Sequence, residues 1–222
     1  MNRWLLILCL LIFPVIAFKG AGDELPKVLI IGDSIAGGYF PFVQEMLEGK
    51  AMITLPRNEQ GETVSCEGTT KGVRDIEKWI GDTDWDVIHF NFGLHDIKHI
   101  DPETGKNSKN LSHPQQANPE QYQINLIAIV EKLKTTGAKL IFATTTPYPD
   151  KLGNQMRSPG MPAVYNKVAL KIMREHGIEV NDLYSFMLPG MGELQRPNNV
   201  HFNDAGSKAL AGQVADAIVL RE

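Results

Sequence analysis

Five short apolar runs, each closed by a glycine, a proline or a polar residue and separated by helix-length stretches, constrain this chain most. Residues 27–31 read KVLII and stop at Gly32; residues 86–92 stop at Gly93; residues 139–146 stop at Pro147. Weaker runs lie at 51–55 and 178–181. Short apolar runs bounded in this way suit buried strands. Between them, Tyr122, Leu126, Ile129 and Leu133 form one helical stripe closed by Gly137. Residues 162–176 read as a helix with proline in its first turn and Gly177 beyond its end. Leu210, Val214 and Ile218 mark a last helix, capped by Asn203 or Asp204. The alternation predicts a three-layer α/β/α sandwich around a parallel sheet of about five strands, flavodoxin-like in plan. In such sheets the ligand site lies beyond the carboxyl ends of the strands. The segments after Ile31, Leu55, Phe92 and Thr146 are therefore where chemistry is expected.

The chain of 222 residues is long enough for one domain. Residues 4–18 are almost unbroken in apolar character, with Arg3 ahead of them and Pro14 within. That run is shorter than the ~20 residues that span a bilayer. It reads as part of an export signal over residues 1–21, leaving a domain over 22–222 that is periplasmic or extracellular. Cys9 falls in the signal, so the exported domain keeps only Cys66 and is held by its core without a disulfide. The net charge of −4 argues against nucleic acid and against an anionic membrane as partner of the mature chain.

Gly32-Asp33-Ser34 directly follows the first strand. A serine there sits on a tight turn into a helix, where its own N–H helps stabilise negative charge. That suits a nucleophile, although Asp and Ser are also ordinary helix caps. Three further features bear on the choice. Gly72 lies in Gly68-Thr69-Thr70-Lys71-Gly72, before a helix expected to begin near Val73. Gly93-Leu94-His95-Asp96 follows the third strand, and His201 lies in Asn198-Asn199-Val200-His201, just before the last helix. Residues 97–118 are polar and overhang the same end, as a lid or as an insertion.

These blocks, in this order, resemble the SGNH, or GDSL-type, hydrolases. The resemblance spans nearly all of the mature chain. It implies a serine esterase that needs no cofactor or metal and acts on a small-molecule or glycan ester, and the N-terminal signal makes it an exported one. Ser34 then matches the nucleophile, His201 the base and Asn198 the position of the triad acid. The N–H groups of Ser34 and Gly72, with the side chain of His95, match the oxyanion hole. Two positions depart from the family: His95 replaces an asparagine, and Asn198 replaces the aspartate. Asn199 does not restore the carboxylate, and Asp204 is a possible substitute. O-acetyl groups on carbohydrate are the expected substrate, from export, surface acidity and the polar loop. Lipid or thioester hydrolysis and a non-catalytic glycan-binding role are the alternatives.

His95 and His99 have the spacing of a zinc-binding H-E-x-x-H helix, but Gly93 and Pro102 leave room for barely two turns. Gly32 to Gly37 lacks the lysine of a phosphate loop, and the lipase elbow G-x-S-x-G is missing. His89 reads as a core residue and His176 as the cationic end of a helix.

Overall fold

A computed structural model of the chain describes residues 24–219. The apolar run read as an export signal lies outside them. Strand β1 (Lys27–Ile31) leads into α1 (Ser34–Met46), then β2 (Met52–Thr54), α2 (Thr69–Ile80) and β3 (Val87–Phe90). The second half runs α3 (Pro119–Lys134), β4 (Lys139–Ala143), α4 (Met161–His176) and β5 (Glu179–Asn181). The short helices α5 (Leu183–Met187) and α6 (Met191–Leu194) follow, and α7 (Asp204–Ile218) closes the domain. All strand pairs are parallel, in the order β2-β1-β3-β4-β5. Helices α2, α3 and α4 pack side by side, and α1 packs on α7. This is the expected sandwich. Val28, Ile30, Ile88, Ile141 and Phe142 are sealed between the layers, which is why these strands read as continuous apolar runs. His89 is buried among them, and burial pushes its imidazole down to about 4.

The strand order reverses between β1 and β3, so a crevice opens at their carboxyl ends. Two runs end sooner than their composition suggests, because side chains take over the ladder. Asn91 donates its amide to Ala143 O at 2.7 Å. Thr144 Oγ1 donates to Asp182 and accepts from the N–H of Tyr184, while Thr145 N–H donates to Asn166. Gly93, at φ 146°, turns the chain out of β3, and a Cβ there would overlap Thr145 Oγ1.

Helix caps explain where the helices begin. Asp33, Asn118 and Asn203 cap α1, α3 and α7 through their side chains. Helix α2 begins at Thr69, not near Val73. Its N-cap is Gly68, and the capping oxygen comes from outside the helix: Asp96 Oδ1 accepts from Thr69 N at 2.8 Å and Oγ1 at 2.5 Å. Gly72 is therefore a helix-interior residue whose N–H donates to Gly68 O at 3.0 Å. A Cβ at Gly72 would stand 2.6 Å from Ile129 Cδ1 and 2.9 Å from the Phe92 ring. Gly72→Ala gains up to ~1 kcal/mol of helix propensity but overpacks a tight α2–α3 contact at ~1–3 kcal/mol. The expected outcome is a net loss of about 1 kcal/mol in denaturant unfolding, with the folded variant keeping its turnover.

The polar segment 97–118 is neither a free insertion nor an open flap. Its backbone bonds to itself and to the β4–α4 loop: His99 N–H donates to Met156 O, and Gln116 N–H to Lys98 O. Both ring nitrogens of buried His99 are occupied, by His113 O at 2.6 Å and Ser158 Oγ at 2.9 Å.

Candidate active site

Ser34 is the first residue of α1 and is exposed at the rim of the crevice. Asp33 fixes the turn before it, accepting from Ile35 N at 2.8 Å. From the other end of the chain, His201 Nε2 comes within 2.8 Å of Ser34 Oγ. The His201 loop is held by Gln195, a buried residue whose amide donates to both Pro147 O and Val200 O. A two-residue bridge between Gln195 and Phe202 closes that loop.

The third position differs from the expectation by one residue. Asn199 Oδ1 lies 2.8 Å from His201 Nδ1 and also accepts from the His201 backbone N–H at 3.0 Å. Asn198 sits in the left-handed region at φ 53°, is exposed, and gives its carbonyl to Gly153 N–H. The left-handed residue and the side-chain turn that follows it bring Asn199, not Asn198, against the ring. The bond to the backbone also orients the amide. A backbone N–H can only donate, so the atom facing His201 is oxygen. His201 Nδ1 therefore carries the proton, and Nε2 is left to accept from Ser34. Asp204 is exposed as the first residue of α7 and does not replace the missing carboxylate. Burial holds the His201 imidazole below its usual range, with Asp33 pulling the other way.

The oxyanion side is also redrawn. Gly72 is withdrawn into α2, as described. Gly68, not Gly72, stands at the helix N-terminus, where N–H groups have no partner within the helix. Cys66 N–H donates to Gly32 O at 2.9 Å, which lays this segment along the nucleophile turn. Asp96 holds the start of α2, and burial pushes its carboxyl up to about 7. His95 lies beside the residue that precedes Ser34, with Nε2 4.0 Å from Asp33 Oδ2. Its Nδ1 receives Lys98 Nζ at 3.0 Å. An ammonium only donates, so the proton of His95 is on Nε2. Burial, Lys98 and Arg157 push this imidazole down to about 3, which keeps it a neutral donor. The 4.0 Å contact is accordingly not an ion pair.

With His95 tied to Lys98, and His99 to His113 and Ser158, these two rings do not offer nitrogens to one metal ion. Among the described residues no cluster of His, Cys, Asp and Glu could hold one. Nor is any described helix long and apolar enough to cross a membrane. The Cys66 thiol is buried and pushed up to about 12, which makes it unreactive. Local sequence signals missed Gln195, Asp96 and Arg157, because each acts across the fold.

Residues 30–209 match the GDSL-like Lipase/Acylhydrolase family. The chain belongs to this family. It is a carboxylic ester hydrolase of the SGNH type. Solved structures of similar fold include an acetyl xylan esterase, 21% identical over 87% of this chain and 100% of that one, with a TM-score of 0.66. A lipase/acylhydrolase from Enterococcus faecalis is 20% identical over 87% and 95%, at 0.68. An acetylxylan esterase from Geobacillus stearothermophilus is 17% identical over 88% and 95%, at 0.67. No curated protein matches the chain.

Proposed function

We propose that this SGNH hydrolase removes short acyl groups, acetyl foremost, from carbohydrate outside the cytoplasm. The observation that carries the reading is the hydrogen-bonded line from Ser34 Oγ through His201 to Asn199, at an exposed rim. Ser34 Oγ attacks the ester carbonyl and its proton passes to His201 Nε2. The N–H groups of Ser34 and Gly68 and the Nε2–H of His95 receive the developing oxyanion. His201 then protonates the leaving alcohol, and an acyl-serine remains. Water attacks that ester with its proton going to His201, and Ser34 recovers a proton as the acid leaves. Asn199 keeps the imidazole in the productive tautomer but adds no charge to steady the imidazolium.

An open rim favours short acyl groups on bulky substrates. The apolar cleft lined by Pro26, Val28, Leu47, Val87 and Ile218 opens at the amino ends of β1 and β3, away from Ser34. No acyl chain bound there would reach the nucleophile. Two of the similar structures are acetyl xylan esterases by name, which supports acetyl as the group transferred. The apolar run at residues 4–18 supports export. The test is a panel of p-nitrophenyl esters from acetyl to palmitoyl, together with acetylated oligosaccharides. The expected profile falls by at least tenfold in kcat/KM between acetyl and octanoyl, with acetate released from the oligosaccharides. Preference for long chains or thioesters overturns the substrate assignment in favour of a lipid or thioester hydrolase.

A further inference from the structure

Two cations stand among the residues around Ser34 without an ion-pair partner. Arg157, from the β4–α4 loop, is only 5% exposed. Its Nε donates to Leu94 O at 2.8 Å, one residue from His95. Lys98 is partly buried, with Nζ on His95 Nδ1. Among the described residues, neither lies within 4.0 Å of a carboxylate oxygen. Glu67 is committed to Lys71 at 2.8 Å. Asp33 is the counter-charge felt by both cations, and its Oδ1 is spent on the N–H of Ile35. Arg157 binds the carbonyl of the residue before His95, Lys98 binds the His95 ring, and that ring lies 4.0 Å from Asp33, the residue before Ser34, so both cations belong to this end of the sheet and not to a remote surface.

A guanidinium removed from water without an anion is costly, and such groups are kept where an anion arrives. Its planar fork matches a carboxylate in two parallel hydrogen bonds. The charge count narrows the ligand further. Asp33 faces both cations and Glu67 also acts on Lys98, so the excess positive charge is small and suits a monoanion better than a phosphate dianion.

We propose that Arg157, assisted by Lys98, forms an anion subsite beside Ser34 that binds a carboxylate of the substrate, so that the ester cleaved here is carried by an acidic sugar such as a uronate. The ester part of this statement rests on the esterase reading above; the carboxylate site does not.

The experiment therefore has two arms. In the first, kcat/KM is measured for acetylated glucuronate or galacturonate and for the matching acetylated neutral sugar. The expected ratio is at least tenfold in favour of the acidic sugar, falling towards one in Arg157→Met and on raising the salt concentration. In the second, unesterified glucuronate and glucose are titrated by calorimetry into wild type and Arg157→Met. Glucuronate should bind wild type alone, and glucose neither. If no ester is hydrolysed but glucuronate binds through Arg157, the subsite stands and the esterase reading falls. If both esters are cleaved equally and glucuronate does not bind, the subsite is refuted and the esterase reading survives. Should Arg157→Met fail to fold, Arg157→Lys keeps the charge without the fork, and it should lower the wild-type ratio several-fold. An unchanged ratio in folded Arg157→Lys and in Lys98→Met together would overturn the assignment.

Discussion

Ser34→Ala is expected to lower kcat by about 10⁴–10⁵, because a full triad loses about 10⁶ with its nucleophile and the carboxylate missing here has already forfeited about ten- to a hundredfold. A residual rate of about 10³–10⁴ over water can persist from the oxyanion donors alone. Stability should change little. Ser34 is exposed, and the bond that secures the start of α1 is made by Asp33, which stays. A fluorophosphonate should modify the wild-type Ser34 peptide, seen by mass spectrometry, and leave Ser34→Ala untouched. Modification of a different serine, or a turnover within tenfold of wild type, would remove Ser34 from the nucleophile's role.

The sheet was legible because its strands are buried on both faces, and such strands write themselves as continuous apolar runs. The nucleophile turn and His201 were legible because both sit where β1 and α7 meet the crevice. What stayed hidden depends on groups distant in sequence. The start of α2 is fixed by Asp96, twenty-seven residues further on, so local signals alone point to a start near Val73 with Gly72 in a loop. With α2 beginning at Thr69, the N–H groups unpaired within the helix start at Gly68 and do not extend to Gly72. The partner of His201 was missed by one residue because Asn198 adopts φ 53°. Two adjacent asparagines give no sequence sign of which one takes the left-handed conformation. Arg157 was silent for a different reason: a lone arginine in a polar loop reads as solvated until the fold buries it.

Asn199→Asp is expected to raise kcat/KM by ten- to a hundredfold, equivalent to ~1.4–2.7 kcal/mol of transition-state stabilisation. The side chain already lies 2.8 Å from Nδ1 and accepts from it, so a carboxylate of the same shape needs no rearrangement. In a Ser-His-Asp enzyme the reverse change costs up to ~10⁴, but part of that loss is a wrong tautomer. Here the backbone N–H of His201 already forces the right one, so the gain is confined to charge. The pH dependence supplies an independent check. The base must be neutral, and burial holds His201 below its usual value, so wild-type kcat/KM should stay on its plateau well into mildly acidic pH. A carboxylate at position 199 favours the imidazolium and raises that pKa. The acid limb should therefore move upward in pH, the rate gain being largest above it and smallest below. Asn198→Asp should do neither, since Asn198 is exposed and its backbone serves Gly153. If Asn198→Asp shifts the acid limb and Asn199→Asp does not, the loop places the other asparagine on His201 during turnover. If neither substitution moves the limb, the imidazolium is already balanced by Asp33, whose carboxylate favours the charged imidazole, and Asp33→Asn should then lower kcat/KM while the limb falls to more acidic pH.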